Sequence, residues 1–387
     1  MTSTASTPRI AIACGGTGGH LFPGLAVAGQ LCQRGAEVTL LISPKDVDQE
    51  AVKNVTGLTV VTLPAVALQN RNYISFARSA WKSWRAARQQ FAAQPPHAVL
   101  AMGGFTAAPP VLAARKLGAK TFLHESNVIP GRANRLLARW VDEALVGFPE
   151  AAARLRVRRV TPTGTPVRPE FQPRDVAACR AELGLDAHKP VVLVMGGSQG
   201  ASGINNLILA ALPALTDRVT AWQWVHLTGP QDVKRVRAAY AARGFLALVK
   251  PFHAGMGPLL GAATAAVSRA GASSLAEIAA MRLPALLVPF PAAADNHQFF
   301  NARALEATGA ARLLEQKSAT PEQVAATLRE LMEVTAVREK IQAALGPWHA
   351  PQAAAQIADI ILRSINAPAA ATLPGHAGGA VNLKAVA

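Results

Sequence analysis

A short apolar run, a glycine-rich loop and a helical pattern follow one another twice in this chain of 387 residues. The first copy occupies residues 10–33, with the loop CGGTGGHLFPG at 14–24, and the second occupies residues 189–212, with the loop GGSQGASG at 196–203. A strand that leads through a glycine turn into a helix begins a βαβ unit, which requires a parallel sheet. The repeat therefore predicts an α/β protein with two Rossmann-like domains facing a cleft.

Alternating strand and helix patterns continue after each glycine loop. Four prolines between residues 161 and 173 interrupt any regular element, so we place the domain boundary at residue 168. This gives an N-terminal domain of residues 1–168 and a second domain of residues 169–346. The last amphipathic pattern predicts a helix at 353–365, and the low-complexity residues 367–387 are predicted to be disordered. The main predicted strands are 10–13, 38–42, 60–63, 98–102, 223–227, 246–252, 265–268 and 285–288; the main predicted helices of the first half are 24–33 and 107–117.

Neither glycine loop fits the common nucleotide-binding motifs. In the first, Leu25 stands where a P-loop requires lysine, and Leu21 stands where the dinucleotide motif requires its third glycine. In the second, counted from Gly197, Gln199 and Ser202 occupy the later glycine positions, which disfavours a dinucleotide-dependent dehydrogenase. Glycine turns before helices nevertheless present free N–H groups to an anion. The two loops predict phosphate on both walls of the cleft, unless the glycines only allow strand and helix to pack closely.

The net charge of +16 is concentrated in the first part of the chain. Residues 1–168 contain 20 Lys and Arg against 8 Asp and Glu, whereas residues 169–387 contain 19 against 15. The imbalance predicts either an anionic partner for the first domain or only a basic surface. No nucleic-acid-binding motif is present, so we expect a phosphorylated substrate or an anionic lipid surface as the partner and no nucleic acid.

Cysteine and histidine spacing and the apolar runs exclude further classes. The three cysteines and nine histidines show no metal-ligand or redox spacing, so we expect no metal site and a reducing compartment. No apolar run is long enough for a signal peptide or a membrane span. We expect a protein that stays on the cytoplasmic side.

Six motifs together resemble those of the MurG family of peptidoglycan glycosyltransferases. They occur in the family's order: GGTGGHLFPGLAVA, HESNVIPGRANRLLA, GTPVR, GGSQGASGIN, SRAGASSLAEIAA and LPALLVPFPAAADNHQFFNA. The resemblance covers roughly residues 9–365. It implies the glycosyltransferase-B architecture, in which the last helix, here within residues 347–366, packs back on the N-terminal domain. It also implies inverting transfer of N-acetylglucosamine from UDP-N-acetylglucosamine to an undecaprenyl-pyrophosphate-linked muramoyl-pentapeptide, without metal or other cofactor.

The resemblance implies a set of donor-binding residues. Glu277 is the implied acceptor of hydrogen bonds from the ribose hydroxyls, Gln298 the implied partner of the sugar hydroxyls, and the backbone at His253 the implied contact of uracil. Arg168 and Ser198 are the implied ligands of the diphosphate. From the residues alone, Arg168 could be a surface charge and Glu277 a first-turn acid favoured by the helix dipole. The other implied donor contacts precede Glu277 in the same helix: Ala272, Ser273, Ser274, Leu275 and Ala276.

His20 is the best candidate for a general base. An imidazole titrates near neutral pH and can accept the proton of an attacking hydroxyl. Glu125 is the rival base, and His20 could equally be a phosphate ligand or a helix-capping residue. The resemblance implies that Thr17, Gly18 and Gly19 line the acceptor side of the cleft and that Asn127 faces the transferred sugar.

Asp46 and Asp48 reproduce the Asp-x-Asp metal-binding pattern of a different glycosyltransferase fold. No further ligand types accompany the pair in the sequence. We therefore expect both carboxylates to be solvated acids in a charged loop.

Residues 72–91 carry aromatic and alanine side chains at helical spacing, with basic residues between them. A basic amphipathic helix that contains two tryptophans, here Trp81 and Trp84, is typical of a segment lying in a lipid interface. A helix packed on the core with basic flanks gives the same pattern. Together with the lipid-linked acceptor, the pattern favours peripheral attachment to anionic lipid at the cytoplasmic face of the inner membrane.

The sequence leaves two alternative functions open. One is a UDP-N-acetylglucosamine 2-epimerase or a natural-product glycosyltransferase of the same fold. The other is a non-catalytic nucleotide-sugar-binding scaffold for cell-wall assembly. The HESN segment and the tryptophan-containing helix favour transfer to a lipid acceptor, a role for which cell-wall assembly proteins are the expected protein partners.

Overall fold

Two parallel β-sheets form the protein, and the loops at their carboxyl ends face a common cleft. The computed structural model describes residues 7–16, 18–53, 55–64, 73–104, 106–197, 201–253 and 255–366. Both strand–loop–helix units predicted from the sequence are present, one in each sheet. This confirms the α/β class and the two Rossmann-like domains. The predicted disorder of residues 367–387 concerns a segment outside the described residues.

Within the described residues, the first domain contains seven parallel strands. They are β1 (Arg9–Ala13), β2 (Glu37–Ile42), β3 (Thr59–Thr62), β4 (Ala98–Ala101), β5 (Lys120–Glu125), β6 (Glu143–Val146) and β7 (Val160–Pro162), in the spatial order β3-β2-β1-β4-β5-β6-β7. Along β1, Ile10 and Ile12 enter the hydrophobic core on one face of the sheet, whereas Ala11 and Ala13 enter the core on the other. Burial on both faces explains why the strands appear in the sequence as continuous apolar runs.

Helices connect these strands and cover the sheet. They are α1 (Gly18–Gln33), α2 (Asp46–Val52), α3 (Tyr73–Ala93), α4 (Ala108–Lys116) and α5 (Arg132–Leu137). Helix α1 begins six residues before the predicted start at residue 24, although glycines and Pro23 are poor helix formers. The sequence prediction was wrong here because tertiary contacts override the weak local propensity. The early start brings His20 into the first helical turn.

In the part of the chain that the structure describes, the second domain contains six parallel strands and most of the remaining helices. The strands are β8 (Val191–Met195), β9 (Gln223–Leu227), β10 (Leu246–Lys250), β11 (Ala265–Ser268), β12 (Ala285–Leu287) and β13 (Arg312–Leu313), in the order β10-β9-β8-β11-β12-β13. The helices are α6 (Val176–Glu182), α7 (Ser202–Ala211), α8 (Val233–Ala241), α9 (Met256–Ala262), α10 (Ala272–Ala280), α11 (His297–Ala307), α12 (Pro321–Glu333) and α13 (Thr335–Ala344).

The final helix, α14 (Ala353–Asn366), returns to the first domain. Ile357, Ala358 and Ile361 are fully buried in the same core as β1 and α1. At the surface, Arg34 Nε donates to Asp359 Oδ1 over 2.7 Å. The chain thus crosses between the domains twice. The limits at residues 168 and 346 stay a prediction.

Both sheets reverse their strand order beside their first strand. Strand β1 lies between β2 and β4, and β8 lies between β9 and β11. In a doubly wound sheet, connections leave such a point toward opposite faces and open a crevice at the carboxyl edge, where ligands bind. The described glycines Gly18 and Gly19 after β1, and Gly196 and Gly197 after β8, lie at these two crevices.

Candidate active site

A cavity of about 690 Å³ opens where the two crevices face each other. Both domains contribute to its walls, so neither sheet alone forms it. Leu275 and Ala276 do not line the cavity in the described part of the chain. Leu275 is instead buried in the hydrophobic core of the second domain. Thr17 and Ser198 lie outside the described residues. The sequence-predicted residues that line the cavity are Gly18, Gly19, His20, Glu125, Asn127, Arg168, His253, Ala272, Ser273, Ser274, Glu277 and Gln298.

The imidazole of His20 rests against two glycines that follow β4. Gly103 and Gly104 have backbone φ angles of +107° and +81°, in a region that residues other than glycine rarely adopt. A Cβ atom on Gly103 would lie 2.9 Å from Cε1 of His20, and one on Gly104 would lie 3.2 Å from Cδ2. The glycine pair therefore provides both the backbone turn and the space for the ring. The two glycines are not among the sequence-predicted site residues, although MGG directly after a buried strand is a signal for them.

Burial lowers the pKa of His20 below its ordinary value, and the nearby Glu125 carboxylate and Met102 carbonyl oppose this only in part. The imidazole is therefore neutral near neutral pH, the form that accepts a proton. Nδ1 is the buried ring nitrogen, which leaves Nε2 as the nitrogen that can meet a ligand in the cavity. These features support the sequence prediction of a general base.

Glu125 ends β5 and is 2% exposed. Its Oε1 accepts hydrogen bonds from N and Nδ2 of Asn127 at 2.8 and 2.9 Å, and its Oε2 accepts from Gly131 N at 3.0 Å and Asn134 Nδ2 at 2.8 Å. Four N–H donors occupy the lone pairs of an ionised carboxylate. This geometry favours Glu125 as the anchor of the loop at residues 126–131 and disfavours the predicted role as a rival base.

Glu277 faces the cavity from the opposite domain. Burial raises the pKa of its carboxyl to about 7, with Arg168 opposing and Glu170 adding to the rise. The carboxyl lies in the second turn of α10, which begins at Ala272, so the interpretation as a first-turn acid was wrong. Among the described residues, no hydrogen-bond donor reaches this carboxyl, and a desolvated carboxyl of this kind is suited to hydroxyl groups of a ligand.

Arg168 connects the domains at the edge of the cavity. Its guanidinium lies over the ring of Phe22 in α1, 4.3 Å from the ring centroid. It also lies over the ring of Phe171, in the hydrophobic core of the second domain, 5.0 Å from that centroid. Nη2 lies 3.2 Å from Glu170 Oε1, and Nε is buried without a hydrogen-bond partner among the described residues. The interpretation of Arg168 as a solvated surface charge was therefore wrong. An unpartnered buried N–H beside the cavity is suited to an anionic ligand.

Gln298 and His253 are oriented by backbone groups. Gln298 Oε1 accepts hydrogen bonds from Phe290 N at 2.9 Å and from Ala270 N at 3.3 Å, which directs Nε2 as the donor toward a ligand. The Nδ1 atom of His253 accepts from Gly255 N at 3.0 Å, and burial lowers the pKa of this imidazole. His253 thus folds its side chain onto its own loop and leaves the preceding backbone at the cavity.

Ser273 reaches across the cavity to α1. Its Oγ donates a hydrogen bond to the carbonyl of Gly19 over 3.0 Å. In a regular helix, the N–H of residue 23 would bond to this carbonyl, but Pro23 has no N–H. The proline therefore leaves the Gly19 carbonyl open to the second domain.

Comparison with known proteins identifies the family. The N-terminal domain model of glycosyltransferase family 28 matches residues 10–146, and its C-terminal domain model matches residues 191–359. The UDP-N-acetylglucosamine–N-acetylmuramyl-(pentapeptide) pyrophosphoryl-undecaprenol N-acetylglucosamine transferase of an Anaeromyxobacter species is 37% identical over 95% of this chain and 97% of its own. The chain belongs to glycosyltransferase family 28, in its MurG branch. An enzyme of the same name from Synechococcus elongatus is 38% identical over 94% of this chain and 99% of its own.

Solved structures confirm the glycosyltransferase-B architecture of this MurG relative. The crystal structure of Acinetobacter baumannii MurG superposes with a TM-score of 0.71 at 28% identity, covering 92% of this chain and 99% of that one. The calicheamicin glycosyltransferase CalG4, at 19% identity, gives a TM-score of 0.64 and covers 93% of this chain and all of its own. A UDP-N-acetylglucosamine 2-epimerase from Neisseria meningitidis, at 12% identity, gives 0.66, covering 92% of this chain and 100% of its own. The latter two share the fold alone.

The Asp-x-Asp pair of this MurG relative does not form a solvated loop. Asp46 and Asp48 belong to α2, and Asp48 is fully buried, with Oδ2 accepting from Gly16 N and Ser43 Oγ. The predicted charged loop was wrong because both residues are helical and Asp48 is buried against Gly16, whereas Asp46 is exposed as expected. Within the described ranges, no group of three or more His, Cys, Asp and Glu residues could hold a metal ion.

Helix α3 combines the two arrangements that its sequence left open. Phe91 and Ala87 are buried in a core of the first domain and Trp84 packs partly against it, whereas Ile74 and Trp81 are 70% and 56% exposed. The guanidinium of Arg85 lies over Trp81 at 5.6 Å. The C-terminal half is therefore a core helix, and the N-terminal half presents an apolar and basic surface. Of the described helices, none combines the length and apolar character that crossing a membrane requires.

Proposed function

We propose that this protein transfers N-acetylglucosamine from UDP-N-acetylglucosamine to undecaprenyl-pyrophosphoryl-N-acetylmuramoyl-pentapeptide, with inversion at the sugar. The observation that carries the proposal is that one cavity has a candidate base on the wall from the first domain and candidate donor-binding groups on the wall from the second. A neutral imidazole, His20, lies on one wall, and Glu277 with Gln298 lies on the other. The names of relatives at 37–40% identity over most of their length support the same substrates.

The second domain binds the donor in this proposal. Glu277 accepts hydrogen bonds from the ribose hydroxyls, and Nε2 of Gln298 donates to the sugar. Helix α7 directs its N-terminus at the diphosphate, and the Nε–H of Arg168, which has no partner among the described residues, supplies a charged donor to the same group. These groups stabilise the negative charge that develops on UDP as the bond to the sugar breaks.

The first domain binds and activates the acceptor. Nε2 of His20 accepts the proton of the attacking hydroxyl while that oxygen forms the new bond to the sugar. Gly18 and Gly19, at the N-terminus of α1, face the pyrophosphate of the acceptor. Asn127, held by Glu125, faces the transferred sugar between the two sites.

The lipid-linked acceptor requires the first domain to approach a membrane. The exposed Ile74 and Trp81, with Arg78, Lys82 and Arg85 on the same helix, form a surface suited to an anionic bilayer. We propose peripheral attachment at the cytoplasmic face of the inner membrane through this part of α3.

Product analysis with and without the lipid acceptor tests the function. The protein is incubated with UDP-N-acetylglucosamine alone and with the lipid-linked muramoyl-pentapeptide in detergent, and UDP and sugar products are measured. We expect UDP release and a disaccharide lipid only when the acceptor is present. A change in the sugar without acceptor would support an epimerase, and absence of both products would support a binding scaffold; either result overturns the proposal.

A further inference from the structure

Asn301 is a fully buried amide between the two domains. It lies on α11, three residues after Gln298, and is 0% exposed. Its Oδ1 accepts a hydrogen bond from Val128 N of the first domain at 2.9 Å. Its Nδ2 donates to Asn127 Oδ1 of the first domain at 3.0 Å and to the carbonyl of Ala270 in the second domain at 3.1 Å.

These bonds fix the direction of the amide. The Val128 N–H requires an oxygen, so the Nδ2 group must face Asn127 and Ala270. Asn127 must then present its own oxygen to Asn301 and its own nitrogen to Glu125, as the 2.9 Å bond to Oε1 shows. A directional row of hydrogen bonds therefore runs from Glu125 through Asn127 and Asn301 to the segment just before α10.

Hydrophobic side chains shield the Asn301 end of this row from water. Val128 and Ile129 of the first domain are 7% and 9% exposed and pack with the hydrophobic core of the second domain. Hydrogen bonds in such a setting are costly to break, because a separated donor or acceptor stays desolvated.

A second contact between the same segments lies at the rim of the cavity. Asp295 accepts hydrogen bonds from Arg132, at 3.2 Å, and from Arg135, and the hydrogen bond from Arg132 is the main reason why the pKa of Asp295 lies below its usual range. Asp295 and Asn296 have φ angles of +50° and +54°, which residues other than glycine adopt infrequently. The short turn before α11 thus directs Asp295 at α5.

We propose that residues 295–301 form an interdomain clasp and that Asn301 is a positioning residue for transfer. The clasp contacts the first domain at Asp295 and Asn301, and Gln298 lies between these two points. When these contacts are formed, Gln298 of the second domain and Asn127 of the first domain both lie next to the transferred sugar. The inference rests on the proposed function for its kinetic part, whereas the clasp itself is a property of the protein without acceptor.

The primary test compares Asn301→Ala with Arg303→Ala, an exposed neighbour on the same helix. We expect Asn301→Ala to lower kcat at least about tenfold, because small misplacements of reacting groups have large effects on rate. We expect the affinity for UDP-N-acetylglucosamine, measured by calorimetry without acceptor, to change less than about threefold, because Asn301 holds the domains together rather than the donor. Arg303→Ala should match the wild type in both. An equal loss of donor affinity and kcat, or no loss in kcat, would overturn the positioning role.

A double-mutant cycle and solution scattering separate the clasp from a general packing role. Asn127→Ala combined with Asn301→Ala should lower kcat no more than the worse single variant, because both remove the same row of bonds. Additive losses would contradict the proposal. With UDP-N-acetylglucosamine bound, the radius of gyration of Asn301→Ala should exceed that of the wild type, and equal radii would contradict the clasp.

Asp295→Asn provides a variant outside the core in case Asn301→Ala does not fold. Asp295→Asn should increase the radius of gyration by less than Asn301→Ala does. High salt should produce a similar increase in the wild type, because it screens the ion pairs of Asp295. An unchanged radius would overturn the clasp. If the wild type transfers no sugar to the lipid, the proposed function fails, while the scattering result still decides whether the clasp exists.

Discussion

The carboxylate of Asp48 accepts the backbone N–H of Gly16 over 2.6 Å and so joins α2 to the first glycine loop. The same oxygen accepts hydrogen bonds from N and Oγ of Ser43. Lys45, just before α2, donates from Nζ to the Gly16 carbonyl over 2.8 Å. Gly16, with a φ of +115°, is thus held at both its N–H and its carbonyl, and the N-terminus of α1 lies at the cavity.

Asp48→Asn should weaken this loop. All three donors bond to Oδ2, so a neutral amide oxygen would take the place of the carboxylate oxygen, and the amide NH2 would occupy the position of Oδ1, which is buried without a partner among the described residues. We expect the free energy of unfolding to fall by about 1–3 kcal/mol for a buried donor left unsatisfied, together with a rise in acceptor KM. Asp46→Asn, at an exposed position in the same helix, is the matched control and should change neither. Equal behaviour of the two variants would refute the role, and loss of wild-type activity in excess EDTA would restore the metal interpretation of the pair.

His20→Ala should lower kcat by about 10²–10⁴-fold while donor affinity stays nearly intact, because a general base acts in the transition state. In the wild type, kcat should fall on the acidic side as the imidazole becomes protonated. Since burial lowers the pKa of His20, the midpoint of this limb should lie below the ordinary histidine value of about 6.5. The variant should lack the limb. A rise in acceptor KM alone would instead indicate a pyrophosphate ligand.

Glu125→Gln separates an anchor from a base. The glutamine nitrogen would face N–H groups that now donate to the carboxylate, so we expect a loss of about 1–3 kcal/mol in unfolding free energy. The rate should fall because the loop at residues 126–131 moves, but the acidic limb of the pH profile should remain. Disappearance of that limb with unchanged stability would identify Glu125 as the base.

Donor affinity should depend on pH through Glu277. The carboxyl of the free enzyme has a pKa raised to about 7, and ribose hydroxyls that donate to it stabilise the ionised form, so binding releases a proton. Calorimetry should therefore show the affinity for UDP-N-acetylglucosamine decreasing as the pH falls from 8 to 6, approaching about tenfold per pH unit below the pKa. Glu277→Gln should bind more weakly at pH 8 and lose this dependence. The same slope in the variant would assign the titration to another group.

Membrane binding should distinguish the two tryptophans of α3. Trp81→Glu should reduce binding to vesicles that contain anionic lipid without changing the melting temperature, because Trp81 is exposed. Trp84→Glu should lower the melting temperature, because Trp84 packs partly against the core. Added salt should weaken wild-type binding, since exposed charges are screened over about 10 Å at 0.1 M. If Trp81→Glu binds vesicles as the wild type does, this surface does not face the membrane.

The sequence by itself determined the fold class, most of the strands and the family. Strands buried on both faces are continuous apolar runs, as at residues 98–101 and 265–268, and such runs between helical patterns leave few arrangements other than a parallel sheet. The glycine loops likewise indicated that a ligand approaches the backbone at two places. These signals are local, so they can be recognised before the chain folds.

Only the tertiary structure decided what the charged and polar side chains do. Glu125 is a plausible base in the sequence, but four N–H donors from residues up to nine positions away favour an anchoring role. Asp48 was expected to be a solvated acid, but in the structure it is buried and bonds to Gly16, 32 residues away. Asn301 meets Asn127 across 174 residues of sequence. The strength of a hydrogen bond and the pKa of a side chain depend on burial and on neighbours that the fold brings together, and sequence spacing records neither.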